Sequence, residues 1–89
     1  MTKTYHIRIF GRVQGVNYRY AAKQAAESLG ITGYVQNKDD GSVFIAASGE
    51  ENHLNEMVKW CKEGPSMARV EDVKVEEVSF EKYSGFDTY

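Results

Sequence analysis

The hydrophobic period of this chain changes four times, and the order of those changes limits the folds open to it. Residues 4–10 alternate, with Tyr5, Ile7 and Ile9 on one face and His6, Arg8 and Phe10 on the other. A period of two with β-branched residues predicts a strand with one face in the core, interrupted by the glycines at 11 and 15. From Tyr18 the spacing becomes four, three and four (Tyr18, Ala22, Ala25, Leu29), which is one face of a helix, and Gly30 is a natural left-handed stop. Residues 33–37 read as a short second strand. Lys38-Asp39-Asp40-Gly41 reads as a turn in which Gly41 takes a positive φ. Residues 42–48 form a third strand with Val43, Ile45 and Ala47 inward, ended by Gly49. Leu54, Met57, Val58 and Cys61 then keep the helical stripe, with Glu50 and Glu51 at its positive end, Lys59 and Lys62 at its negative end, and Gly64-Pro65 as its stop. In the fourth strand, about 69–80, Val73 and Val75 share a face while Val78 and Phe80 fall on the other, predicting a bulge at Glu76-Glu77 or a change of partner. Residues 85–89 leave room for a short fifth strand.

The resulting order is β-α-β-β-α-β. Two right-handed crossovers place both helices on one face of a four-stranded antiparallel sheet, an α+β sandwich of the ferredoxin-like kind. The expected core is Ile7, Ile9 and Val13, then Ala22, Ala25 and Leu29, then Val35, Val43 and Ile45, with Leu54, Val58, Val73 and Val75. No linker or repeat divides residues 1–89, so a single domain is expected. For 10.1 kDa the folded accessible surface should be about 5,300 Å². A fold of this kind hosts many unrelated activities and names none.

Composition removes several function classes. The single cysteine, Cys61, excludes an internal disulfide framework and a cysteine-rich metal site, and its helical register makes it a core thiol. His6 and His53 have no partner at metal-ligand spacing, and no serine sits in a nucleophile elbow. The N-terminus lacks the apolar segment of a signal peptide and no 18-residue apolar run crosses a membrane, so a cytoplasmic protein is expected. A net charge of −2 argues against a dedicated nucleic-acid binder, for which only Phe10 and Phe44 offer a weak aromatic pair. Charge is nonetheless uneven. Residues 1–45 carry six basic against three acidic residues, and residues 46–89 carry five against ten. Lys3, Arg8, Arg12 and Arg19 occur before any acid. Either the fold gathers them to attract an anion, or they form a dipolar and silent surface.

One segment stands out: Gly11-Arg12-Val13-Gln14-Gly15-Val16-Asn17-Tyr18-Arg19. A glycine-bounded loop there ends a strand and opens a helix, where unpaired N–H groups and the helix dipole point outward together. Glycine permits the turning that brings successive N–H groups onto one oxyanion. Arg19, at the start of the helix, is able to hold two phosphate oxygens in a fixed plane. The same residues also describe a tight strand-to-helix connection with a solvated arginine.

This segment resembles the signature of the acylphosphatases. Gly33-Tyr34-Val35-Gln36-Asn37 followed by Asp40-Gly41-Ser42-Val43 resembles their second block, and Gly49 and Gly64-Pro65 fall where the family has similar residues. The resemblance covers nearly the whole chain. It implies hydrolysis of the mixed anhydride of a carboxylic and phosphoric acid, releasing inorganic phosphate, with no metal or cofactor, no nucleic acid or membrane partner, and a monomer as the working form. It further implies that Arg19 and the backbone amides of Gln14, Gly15, Val16, Asn17, Tyr18 and Arg19 bind the phosphoryl group, and that Asn37 orients the attacking water. A noncatalytic module binding a phosphate or carboxylate with the same loop is the competing reading. Some positions depart from the family pattern. Tyr34 stands where tryptophan is commoner, Phe44 and Ala46 replace an acid-containing pattern, and residues 86–89 match its ending only in part. Asn17 fills a variable position and is expected to help cap the first helix.

Overall fold

A computed structural model describes residues 1–89 and contains β1 (Thr2–Arg12), α1 (Tyr18–Ser28), β2 (Thr32–Asn37), β3 (Val43–Glu50), α2 (Glu51–Glu63), β4 (Arg69–Val78) and β5 (Phe86–Thr88). The sheet order is β4-β1-β3-β2-β5. The first four strands pair antiparallel, and β5 joins the outer edge of β2 in parallel. Both helices pack on one face, as the ferredoxin-like order requires. The accessible surface is 5252 Å², close to the value scaling predicts. No helix is long and apolar enough to cross a membrane.

Register builds the core. Ile7 lies opposite Ile45, and Ile45 opposite Val35, so three fully buried side chains form a row beneath the helices. Tyr18, Ala22 and Ala26 from α1 and Leu54, Met57 and Cys61 from α2 close over it. Ala25, Leu29, Val58 and Val73 pack against this core but are only partly buried, while Ala26 and Ile31 are fully inside. The stripe on α1 thus runs in steps of four rather than four, three and four.

Three expectations are corrected. Val75 is not core: it lies opposite Ile7, but on the edge strand beyond the cover of the helices, and is 44% exposed. The bulge in β4 is at Glu71, not at Glu76-Glu77, because Phe10 pairs with Asp72 and Gly11 with Val70. That extra residue turns Val70 and Val73 toward the same core despite their odd spacing. Gly11 is required there: its φ is +127°, and a Cβ would collide with the Arg69 carbonyl. The change of parity at Val78 has a different cause. Val78 pairs with Thr4, and the chain then folds over that corner, with the Glu81 N–H donating to Thr4 Oγ1 (2.8 Å) and the Ser48 hydroxyl to the Glu81 carbonyl (2.7 Å). Finally, Gly49 does not end β3, which runs on to Glu50 because Gly49 still pairs with Lys3.

Candidate active site

The turn between β2 and β3 is shaped by its own side chains. Asp40 Oδ1 accepts from the Ser42 hydroxyl (2.6 Å) and the Ser42 N–H (2.9 Å), and these bonds hold its carboxyl below the usual carboxylate range. Gly41 takes the expected positive φ of +90°. Asn37 ends β2 opposite Val43, in the row that faces the helices. Its Oδ1 is buried and has no hydrogen-bond partner in the protein. A buried acceptor left unpaired costs about 1–3 kcal/mol, so its retention needs a reason.

Facing it is the connection from Arg12 to Tyr18. Gly15 (φ +72°) and Asn17 (φ +68°) both adopt the left-handed conformation. The N–H groups of residues 15 through 20 have no acceptor within the chain, the first partnered one being Ala21, which donates to the Asn17 carbonyl at 3.2 Å. Unpaired amides at the positive end of a helix, turned by left-handed residues, make an anion-binding concavity. Asn17 does not cap α1 through its side chain, contrary to expectation. A side-chain cap needs an extended backbone at that position, whereas asparagine here serves as a residue that tolerates the left-handed region.

The loop residues divide their work. Tyr18 is buried: its hydroxyl donates to the Cys61 carbonyl (2.9 Å), its ring meets Trp60 edge-on, and burial raises its pKa. Only its backbone is left for a ligand. Cys61 is the expected core thiol, pushed up to about 12 by burial. Val16 packs partly against the core. Gln14 turns away to the β2–β3 turn, where its Nε2 donates to the carbonyls of Lys38 (2.8 Å) and Ser42 (2.9 Å). Arg19 is exposed and donates from Nη1 to the main-chain oxygen of Tyr89 at 2.6 Å.

A cleft of about 400 Å³ brings these groups together, lined by Val13, Gly15, Asn17, Tyr18, Arg19, Tyr20, Lys23, Asn37 and Thr88. Arg19 and Asn37, eighteen residues apart in sequence, share it. Gln14 and Val16 do not line it. Tyr20, Lys23 and Thr88 were missed in the sequence. Lys23 was findable, since it lies four residues after Arg19 on the same face of α1. Thr88 gave no local signal, because its place depends on β5 docking against β2. With two cations, free amides and no carboxylate in its lining, the cleft suits an anion. No group of three or more His, Cys, Asp or Glu side chains is arranged to hold a metal ion. On the far face of the sheet, Phe44 is met edge-on by His6 and approached by Arg8 and Lys38 at 5.7 and 5.0 Å.

Comparisons with known proteins converge on one family. The family model described as acylphosphatase matches residues 5–88. The chain is 49% identical to an acylphosphatase of Thermotoga petrophila over 84 residues, covering 94% of this chain and 93% of that protein. Among solved structures it is similar to an acylphosphatase from Coxiella burnetii (TM-score 0.96, 36% identity, 99% of this chain and 93% of that one). It is also similar to one from Bacillus subtilis (TM-score 0.95, 39% identity, 100% and 99%).

Proposed function

The chain belongs to the acylphosphatase family, so its reaction is hydrolysis of the carboxyl–phosphate bond of an acyl phosphate, and we propose that Arg19, the amides of the Gln14–Arg19 loop and Asn37 carry it out without a metal or cofactor. An acyl phosphate already has a good leaving group. What remains is to place a water in line with the bond to be broken and to match the charge on the transferring phosphoryl oxygens.

Each residue supplies one of these. The loop amides and the Arg19 guanidinium neutralise the phosphoryl oxygens. Arg19 commits one N–H to the main-chain oxygen of Tyr89 and keeps the rest of its planar donor set for the substrate. Asn37 accepts from the attacking water and donates to another oxygen. Its carboxamide cannot act as a general base, so its contribution is orientation. The observation that carries this reading is the cleft shared by Arg19, Asn37 and the loop. All of these groups lie within one chain, so the proposed site needs no residue from a second copy.

The test is continuous hydrolysis of a simple acyl phosphate by purified protein after exhaustive chelation of metals. Wild type should turn over. Arg19→Ala should lose about 10²–10³-fold or more in kcat, the cost of removing one preorganised oxyanion donor. Arg19→Lys should fail badly too, since it keeps the charge but loses the planar fork. Turnover that vanishes with the metals, or that survives in the lysine variant, contradicts the proposal. A folded wild type with no activity would favour a static anion-binding module.

A further inference from the structure

Two cations of α1, one helical turn apart, hold the backbone at the two ends of the same short strand. Arg19 Nη1 donates to the main-chain oxygen of Tyr89, just past the end of β5, and Lys23 Nζ to the carbonyl of Phe86, its first residue, each at 2.6 Å. The strand they hold, β5, has three residues. Its other side hangs on β2, where the Gly33 N–H donates to the Gly85 carbonyl and the Tyr89 N–H to the Val35 carbonyl, both at 2.9 Å. The strand therefore lies between the helix that carries Arg19 and the strand that ends in Asn37.

The two grips are unequal. The Arg19–Tyr89 bond is exposed, so water competes for both partners, whereas the Lys23–Phe86 bond is partly buried. Phe86 is itself a core residue, 2% exposed. Glu27 lies 3.4 Å from Lys23 Nζ and steadies the amine from the next turn of α1. Lysine has three donors, so both contacts are met at once.

We propose that Lys23 is a positioning residue: its bond to the Phe86 carbonyl fixes β5 against α1, and β5 in turn holds the Arg19 guanidinium in register with Asn37. This rests on the assignment of Arg19 to the phosphoryl group. Lys23 also lines the cleft, so its charge has a second, direct route to an anion, and the test separates the two.

The experiment compares wild type with Lys23→Met and Lys23→Arg. It measures kcat/KM for a simple acyl phosphate, the inhibition constant of inorganic phosphate, thermal unfolding and hydrogen exchange of the Tyr89 N–H. Arg19→Ala is measured alongside. Lys23→Met should lower kcat/KM and weaken phosphate inhibition, each about tenfold or more, since a misplacement of about 1 Å is able to cost about 10²-fold. Tyr89 exchange should accelerate while the core amides stay protected. The defect should persist at about 1 M salt, where charges are screened beyond about 3 Å, and Lys23→Arg should restore it. Unchanged kinetics or unchanged Tyr89 protection in Lys23→Met overturns the proposal. So does a defect that disappears at high salt, which assigns the effect to charge alone. If Arg19→Ala retains turnover, the assignment of Arg19 fails separately and takes this inference with it.

Discussion

Gln14 and Lys38 are joined across the gap between the first loop and the β2–β3 turn: Gln14 Nε2 donates to the Lys38 carbonyl at 2.8 Å, one residue beyond Asn37. The same nitrogen reaches the Ser42 carbonyl at 2.9 Å. The phosphate loop and the strand end carrying Asn37 are thereby one mechanical unit. Gln14→Ala should cost about 1–2 kcal/mol for the two bonds and lower kcat/KM. Gln14→Glu should be worse, because a carboxylate would face two carbonyl oxygens and stand near an anionic substrate. Thermal unfolding and steady-state kinetics of the pair check this; wild-type kcat/KM in both variants would mean that the clamp is not needed.

Gly33 holds β2 against β3. Its φ is +143°, and a Cβ would run into the Ala46 carbonyl. Gly33→Ala should destabilise by about 3 kcal/mol or more and displace the strand that ends in Asn37. Gly41, with a φ of +90° but open space around it, is the matched control, and Gly41→Ala should cost only about 1–2 kcal/mol. Urea unfolding of both variants gives the comparison, and equal losses would show that the collision is relieved cheaply.

Asn17 accepts a left-handed backbone at the start of α1. Asn17→Gly should be neutral or slightly stabilising with activity kept, since no side-chain bond is lost. Asn17→Val should cost about 1–2 kcal/mol and blunt activity, because a β-branched residue resists that conformation and would reorient the loop amides. Denaturant midpoints and kcat report the two effects together.

Asn37 separates orientation from binding. Asn37→Ala should lower kcat far more than it changes the inhibition constant of phosphate, because an aligned water matters chiefly in the transition state. Asn37→Asp should also be severely impaired, although it introduces a base, because it loses the donor and sets a negative charge against an anionic substrate. Wild-type kcat in the aspartate variant would rule out the neutral donor-and-acceptor role.

Much of this architecture could be read from hydrophobic period, and the rest could not for identifiable reasons. The strip from Tyr5 to Ile9 and the stripe from Leu54 to Cys61 alternate strongly enough to fix β1 and α2. The bulge at Glu71 could not be read, because it arises where β4 closes on Gly11, a contact between distant residues. Val75 was misjudged because a strand's pattern does not say how far the helices extend over an edge. In the cleft, Arg19 was singled out by its place at a glycine-bounded helix start and Asn37 by family resemblance. Lys23 follows from Arg19 by one turn of α1, whereas Thr88 joins them only because β5 adds to β2 in parallel, which three residues of sequence do not announce.

The central claim is that an oxyanion is held by the loop between β1 and α1. Titration of the labelled protein with inorganic phosphate, followed by amide NMR, tests it most directly. Saturable shifts are expected on the amides of residues 15 through 20 and on Asn37, with competitive inhibition of matching constant and loss of both in Arg19→Ala. Saturable binding whose shifts fall instead on α2 or β4 would contradict it, because the phosphate would then be held by a surface that contains neither Arg19 nor Asn37.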